Sequence, residues 1–216
     1  MSAIMPALLC PSLEDFAEKV NIARTFPSLN AIHVDFADNR FVANQTIMPG
    51  VLPSLPLQYV FQAHLMVFNG QDFLPDLQRV GFESVVFHFE AFNNIQSLEE
   101  AIAQARELSL EPGIALKPKT ELGQLKTLIK KVDSVLIMAV EPGFYGSKYI
   151  PDVEAKVKSL RLTDFYGTIY VDGGISKQNI HSLINAGADK FIVGSSIFTA
   201  QDPLAAYQEL VHELGE

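Results

Sequence analysis

The 216-residue sequence predicts an α/β fold, a closed (β/α)8 barrel, on three observations. Strand-length apolar runs rich in Val, Ile, Phe or Leu recur eight times, at 6–10, 31–36, 59–67, 84–89, 113–116, 134–140, 168–171 and 190–193,. Amphipathic stretches lie between most of them, at 13–25, 71–80, 97–108, 121–131, 151–160 and 177–186, and a last one at 202–214 closes the chain,. Strict alternation implies parallel strands with right-handed crossovers, which gives an open doubly wound sheet or a closed barrel, and eight units favour closure. The length suits one domain, 1–216, slightly short for the class,.

The stretch 99–108 shows the helical spacing, with Ala101, Ile102, Ala105 and Leu108 on one side and Glu100, Gln104 and Glu107 on the other,. Ser97 and Thr120 are expected N-caps. Segment 39–57 contains Pro49, Pro53 and Pro56 and no clean helical period, so it reads as a long loop plus a short helix,.

Composition sets outer bounds. Hydrophobic residues make up 48% and charged ones 19%, a balance that supports a compact fold. A formal net charge of -9 repels DNA, RNA and anionic membranes, so neither a nucleic-acid nor a membrane partner is expected. A small anion remains compatible, because backbone N–H groups hold phosphate locally. Cys10 is the sole cysteine, which rules out an intrachain disulfide and fits a reducing cytoplasm. No export signal and no membrane span is visible.

In a barrel, polar residues that interrupt apolar strands near their C-terminal ends point into the mouth. His33 and Asp35 sit two apart, on one face of their strand, while Ile32, Val34 and Phe36 take the other,. His64 falls near the end of the third strand and Asp172 ends the seventh. Two imidazoles and two carboxylates crowded into a narrow mouth need pairing or neutralisation, and one divalent cation (zinc, iron, manganese or cobalt) supplies it. Taken singly, His33 reads equally well as a core histidine and Asp35 as a loop cap. His88, with Glu90 two residues on, reads as structural.

A second group is rich in glycine: Pro142, Gly143 and Gly146 after the sixth strand, Gly173 and Gly174 after the seventh, Gly194, Ser195 and Ser196 after the eighth. Tight turns account for each one alone. Together, on consecutive loops, they predict a phosphate cradle of backbone N–H groups and hydroxyls.

At these residues the chain resembles the ribulose-phosphate 3-epimerase family, over 6–198. The strings that carry the resemblance are IHVDFAD (32–38), HLMV (64–67), EPGFYGSKYIP (141–151), VDGGIS (171–176) and VGSSIF (193–198). The resemblance implies a TIM barrel of the ribulose-phosphate-binding type and a carbohydrate epimerase, an isomerase of the pentose phosphate pathway that is cytoplasmic and homo-oligomeric. It implies that His33, Asp35, His64 and Asp172 bind the metal and that Asp35 and Asp172 double as the acid–base pair. Inverting a carbon alpha to a carbonyl needs one group to take the proton from one face and another to return it on the other. The metal would act as a Lewis acid on the enediolate between the two steps. Met66 and Met138 match methionines that line the family's site, although barrel packing also accounts for them.

The rim departs from the family pattern. Ala7 stands at a usual serine, Ala37 at a methionine, Asn39 and Arg40 at a Gly-His pair, Tyr145 at a glycine, and Lys117 and Glu141 at asparagines. Arg40 offers a forked donor for phosphate or simply a solvated loop charge. These departures leave open another ketose phosphate, such as a hexulose 6-phosphate, beside D-ribulose 5-phosphate. A non-catalytic phosphosugar-binding barrel is the reading from a different class. A decarboxylase of the orotidine phosphate type needs a lysine between acids, which Asp35-Phe36-Ala37-Asp38 lacks.

Overall fold

A computed structural model describes residues 2–215. Eight strands close a parallel barrel in sequential order: β1 (Ala3–Leu9), β2 (Ala31–Ala37), β3 (Val60–Met66), β4 (Ser84–His88), β5 (Glu111–Leu116), β6 (Ser134–Met138), β7 (Thr168–Asp172) and β8 (Lys190–Val193). The helices are α1 (Leu13–Ala23), α2 (Leu74–Val80), α3 (Ile95–Glu107), α4 (Val153–Arg161), α5 (Ile180–Ala186), the short α6 (Ser195–Phe198) and α7 (Pro203–Glu213).

The period-two pattern sorts each strand into two layers. Outward residues such as Leu8, Ile32, Val34, Phe36, Phe61, Val85, Ile137 and Phe191 pack with the helices in one large cluster. Inward residues form a smaller one, including Met5, Ala7, Val86, Ala115, Leu136, Met138, Tyr170 and Ile192. Small inward side chains at Ala7, Ala37 and Ala115 leave room for the bulky polar ones between them.

Two strands begin earlier than the apolar runs predict, at Ala3 and Glu111, because Pro6 and Pro112 lie inside them. Neither proline breaks a rung. Pairing of β1 with β2 starts only at Ala7, and pairing of β5 with β6 only at Gly113, so the missing N–H groups face positions before those ladders begin.

The expected helix at 121–131 is instead two 3-10 turns, Leu122–Leu125 and Ile129–Lys131. Its apolar residues Leu122, Leu125 and Leu128 recur every three positions, the period of that tighter helix, and Leu125 and Leu128 are fully buried,. Thr120 therefore caps no α-helix, and its hydroxyl bonds Glu90. Ser97 is not the N-cap of α3 either. Asn94 is, accepting from the Ser97 N–H at 2.9 Å. Segment 39–57 is a loop with one 3-10 turn at Pro49–Val51, as its prolines dictate,. No helix among the described residues is long and apolar enough to cross a membrane.

A candidate metal centre at the barrel mouth

Register brings the four predicted ligands together. Asp35 of β2 lies beside His64 of β3, and Asp172 ends β7 next to Met138 and Ile192. One ligand atom from each of His33, Asp35, His64 and Asp172 lies within 4.8 Å of every other. His33 and His64 have no solvent exposure, and Asp35 has 6%.

The imidazoles are held from behind. His33 Nδ1 lies 2.9 Å from Gln62 Oε1; an amide oxygen only accepts, so Nδ1 carries the proton and Nε2 presents a lone pair. That Nε2 is buried with no hydrogen-bond partner, 3.3 Å from Asp35 Oδ1 but out of alignment for a hydrogen bond. His64 is ordered by a longer chain. Its Nε2 is 3.0 Å from His88 Nε2, and His88 Nδ1 is 3.1 Å from Glu90 Oε2. With His88 donating to Glu90, its Nε2 accepts from His64, which leaves the His64 Nδ1 lone pair aimed 2.8 Å from Asp35 Oδ1,. Two lone-pair atoms at that separation require a shared proton or cation. The orphaned His33 Nε2 makes the same demand, so this donor set fits a divalent metal of the first transition row.

The electrostatics follow from burial and crowding. Burial works to raise Asp35, but the neighbouring His33 and His64 imidazoles outweigh it and hold the carboxyl below its ordinary range. Asp172 is pushed up to about 7 by burial and by the neighbouring Asp35 charge. His64 falls to about 4, chiefly through burial. Burial pulls His33 down, yet the Asp35 carboxylate leaves it above its usual value.

Above the centre opens a pocket with about 530 Å³ of free space, including the part exposed to solvent. Its wall includes Asp35, Asp172, Met66, Met138, Gly143, Gly146, Gly173, Gly174, Gly194, Ser195 and Ser196, so every predicted site residue except the two buried histidines lines it. Gly173 and Gly174 have φ of 101° and 64°, and a Cβ on either would collide with Val140 or Tyr149,.

Of the departures at the rim, Ala7 and Tyr145 line the pocket. Arg40 does not; it lies over the Phe68 ring, 5.7 Å from its centroid. Lys117 sits over Phe41 at 4.1 Å, and Ala37 packs with Met66 and Val42. The sequence reading missed the support that His88 and Glu90 give to His64. Their spacing of two is a signal for it, although Glu90 lies in the 3-10 turn that follows β4, and the strand neighbour that links them to His64 is visible only in the register.

A family model described as the ribulose-phosphate 3 epimerase family matches residues 3–198. A ribulose-phosphate 3-epimerase of Mycobacterium leprae is 35% identical, covering 98% of this chain and 96% of the relative. One from Schizosaccharomyces pombe is 34% identical over 93% and 88%, and a cytoplasmic isoform from rice is 34% identical over 94% and 92%. Among solved structures, 3-hexulose-6-phosphate synthase superposes with a TM-score of 0.72 at 16% identity, covering 99% of each chain, a likeness of fold.

Proposed function

The chain belongs to the ribulose-phosphate 3-epimerase family, and from that premise we propose that it inverts C3 of a ketose phosphate, interconverting D-ribulose 5-phosphate and D-xylulose 5-phosphate. As a member of that family it is an isomerase. The observation that carries the proposal is the placement of two carboxylates, Asp35 and Asp172, from strands separated by β1 and β8 in one mouth, within 4.8 Å of each other.

In this reading Asp35, kept ionised by its histidine neighbours, takes the C3 proton on one of its carboxylate oxygens. The C–H electron pair moves between C3 and C2 and the C2 carbonyl oxygen becomes anionic. Asp172 delivers a proton to the opposite face of C3; in the return direction the two exchange roles. His33, Asp35, His64 and Asp172 would hold a single divalent cation, which supplies Lewis-acid stabilisation for the developing oxyanion. Met66 and Met138 keep water off the reacting carbons. Gly143, Gly146, Gly173, Gly174, Gly194, Ser195 and Ser196 take the phosphate, with positive φ at the first four allowing close backbone approach,. One domain spanning 1–216, a cytoplasmic setting, homo-oligomeric assembly and a place in the pentose phosphate pathway belong to the same reading and rest on the family alone.

Incorporation of solvent deuterium at C3 of D-ribulose 5-phosphate tests it. We expect exchange that stops on chelation and in Asp172→Asn, with the variant's far-UV spectrum unchanged. Exchange only with a six-carbon ketose phosphate would reassign the substrate. Binding of metal and sugar phosphate without any exchange would leave a non-catalytic barrel.

A further inference from the structure

The end of β1 offers two backbone groups that the barrel itself does not use. Pairing of β1 with β8 stops at Pro6 and Val193, because the chain turns at Gly194 into α6. By strand alternation the Ala7 carbonyl and the Leu9 N–H then face the mouth on the side that β8 has left. A carbonyl and an N–H two residues apart form a receptor for one hydroxyl, which donates to the first and accepts from the second.

That receptor is filled by Tyr145. Its hydroxyl donates to Ala7 O at 2.7 Å and accepts from Leu9 N–H at 3.0 Å. The ring lies so close to Gly194 that a Cβ there would overlap Cε1. Lys19 Nζ stands 5.3 Å from the ring centroid and is itself anchored on Leu9 O at 3.0 Å. The loop that carries Tyr145 is pinned a second time by Asn44 Nδ2, which donates to Gly143 O at 2.6 Å, while Val42 packs against Gly143. Tyr145 is thus a fixed plate spanning the β1 end and the β8 loop, in the same wall as Asp35, Asp172 and the glycine loops.

We infer that Tyr145 determines substrate specificity: its own phenol occupies a hydroxyl-binding position at the end of β1, and its ring limits the length of ketose phosphate that reaches the metal centre. The inference rests on reading the pocket as a ketose-phosphate site. A substrate spanning the centre and the glycine loops loses both the room beside Gly194 and the hydrogen bonds of Ala7 O and Leu9 N–H. Compact substrates fit; longer ones must displace a side chain held by two hydrogen bonds.

The test is calorimetric titration of the metal-reconstituted protein with D-ribulose 5-phosphate and D-fructose 6-phosphate, read as the ratio of their dissociation constants. The native protein is expected to favour the five-carbon sugar by about tenfold or more, the scale on which a pocket discriminates added carbon. Tyr145→Gly should bring the ratio to within about threefold, mainly by tightening the six-carbon ligand. Tyr145→Phe keeps the ring but loses both hydrogen bonds, and should bring the ratio between those of the native protein and the glycine variant; a ratio as low as the glycine variant's would overturn the role of the ring. If the glycine variant does not fold, Tyr145→Ala carries the same comparison. A native ratio near one, or one that the glycine or alanine variant leaves unchanged, overturns the inference, as does failure of both sugars to bind. Deuterium exchange run in parallel judges the epimerase reading separately: binding without exchange contradicts that reading while the affinity ratio still decides the role of Tyr145.

Discussion

Each ring nitrogen of His64 has a different neighbour, and the difference decides what the residue does. Nδ1 meets Asp35 inside the mouth and Nε2 meets His88 behind it. His88 is in turn fixed by Glu90, whose other oxygen accepts from the Lys117 N–H at 2.8 Å and from the Thr120 hydroxyl. Burial works to raise Glu90, yet these bonds hold its carboxyl down at about 2, so it stays ionised and keeps the proton on His88 Nδ1. Replacing His88 by Ala frees His64 to rotate and to change tautomer. We expect metal affinity to fall by about ten- to a hundredfold, the usual effect of losing such a partner, measured by competition against a chromophoric chelator; native affinity would show that His64 orients itself. At this scale the sequence was read well where period two sufficed: His33 and Asp35 share a face because they are two apart. Glu90 lies beyond the end of β4, in a 3-10 turn, and the link from His88 to His64 runs across the β3–β4 ladder, which no spacing within one strand reveals.

Among the elements, strands were more legible than helices. All eight apolar runs overlap barrel strands, because burial on both faces leaves few polar positions to confuse the reading. The prolines at 6 and 112 hid two strand starts, since tolerance of a missing N–H depends on where the neighbouring ladder begins. The 121–131 stretch failed for another reason: an apolar spacing of three is the period of the 3-10 helix and is easily taken for the 3.6-residue one, and Gly123 inside it weakens the α form,. The turn after β7 is a stricter element. Gly173 combines a φ of 101° with a Cβ position already filled by Val140, so Gly173→Ala adds both strain and overlap. A destabilisation of about 1–3 kcal/mol is expected in urea unfolding, with deuterium exchange reduced further because Asp172 is the adjacent residue. A variant as stable and active as the native chain would mean that this backbone is not rigid.

For the molecule as a whole, the barrel gathers more polar groups into its mouth than its own hydrogen bonds satisfy, and a bound cation would relieve the imbalance. The pH dependence follows. Burial and the Asp35 charge push Asp172 up to about 7, so at lower pH metal must displace its proton, and at higher pH the carboxylate is ready. The His33 value, raised by the Asp35 carboxylate against the pull of burial, works in the same direction. Apparent metal affinity should therefore weaken by about tenfold or more per pH unit below about 7 and level off above it; a titration flat from pH 5 to 8 would mean that Asp172 is not a ligand. The global architecture was legible because alternation, strand count and length all point to one closed barrel. The rim was less so, because Tyr145 and Ala7 meet only when the loop after β6 folds back onto β1. The most direct test of the account is anomalous X-ray diffraction from crystals grown with zinc or manganese, collected on either side of the metal edge. One strong peak is expected about 2.0–2.2 Å from His33 Nε2, His64 Nδ1 and an oxygen each of Asp35 and Asp172; no peak there, or a peak that leaves out either carboxylate, would contradict a shared cation.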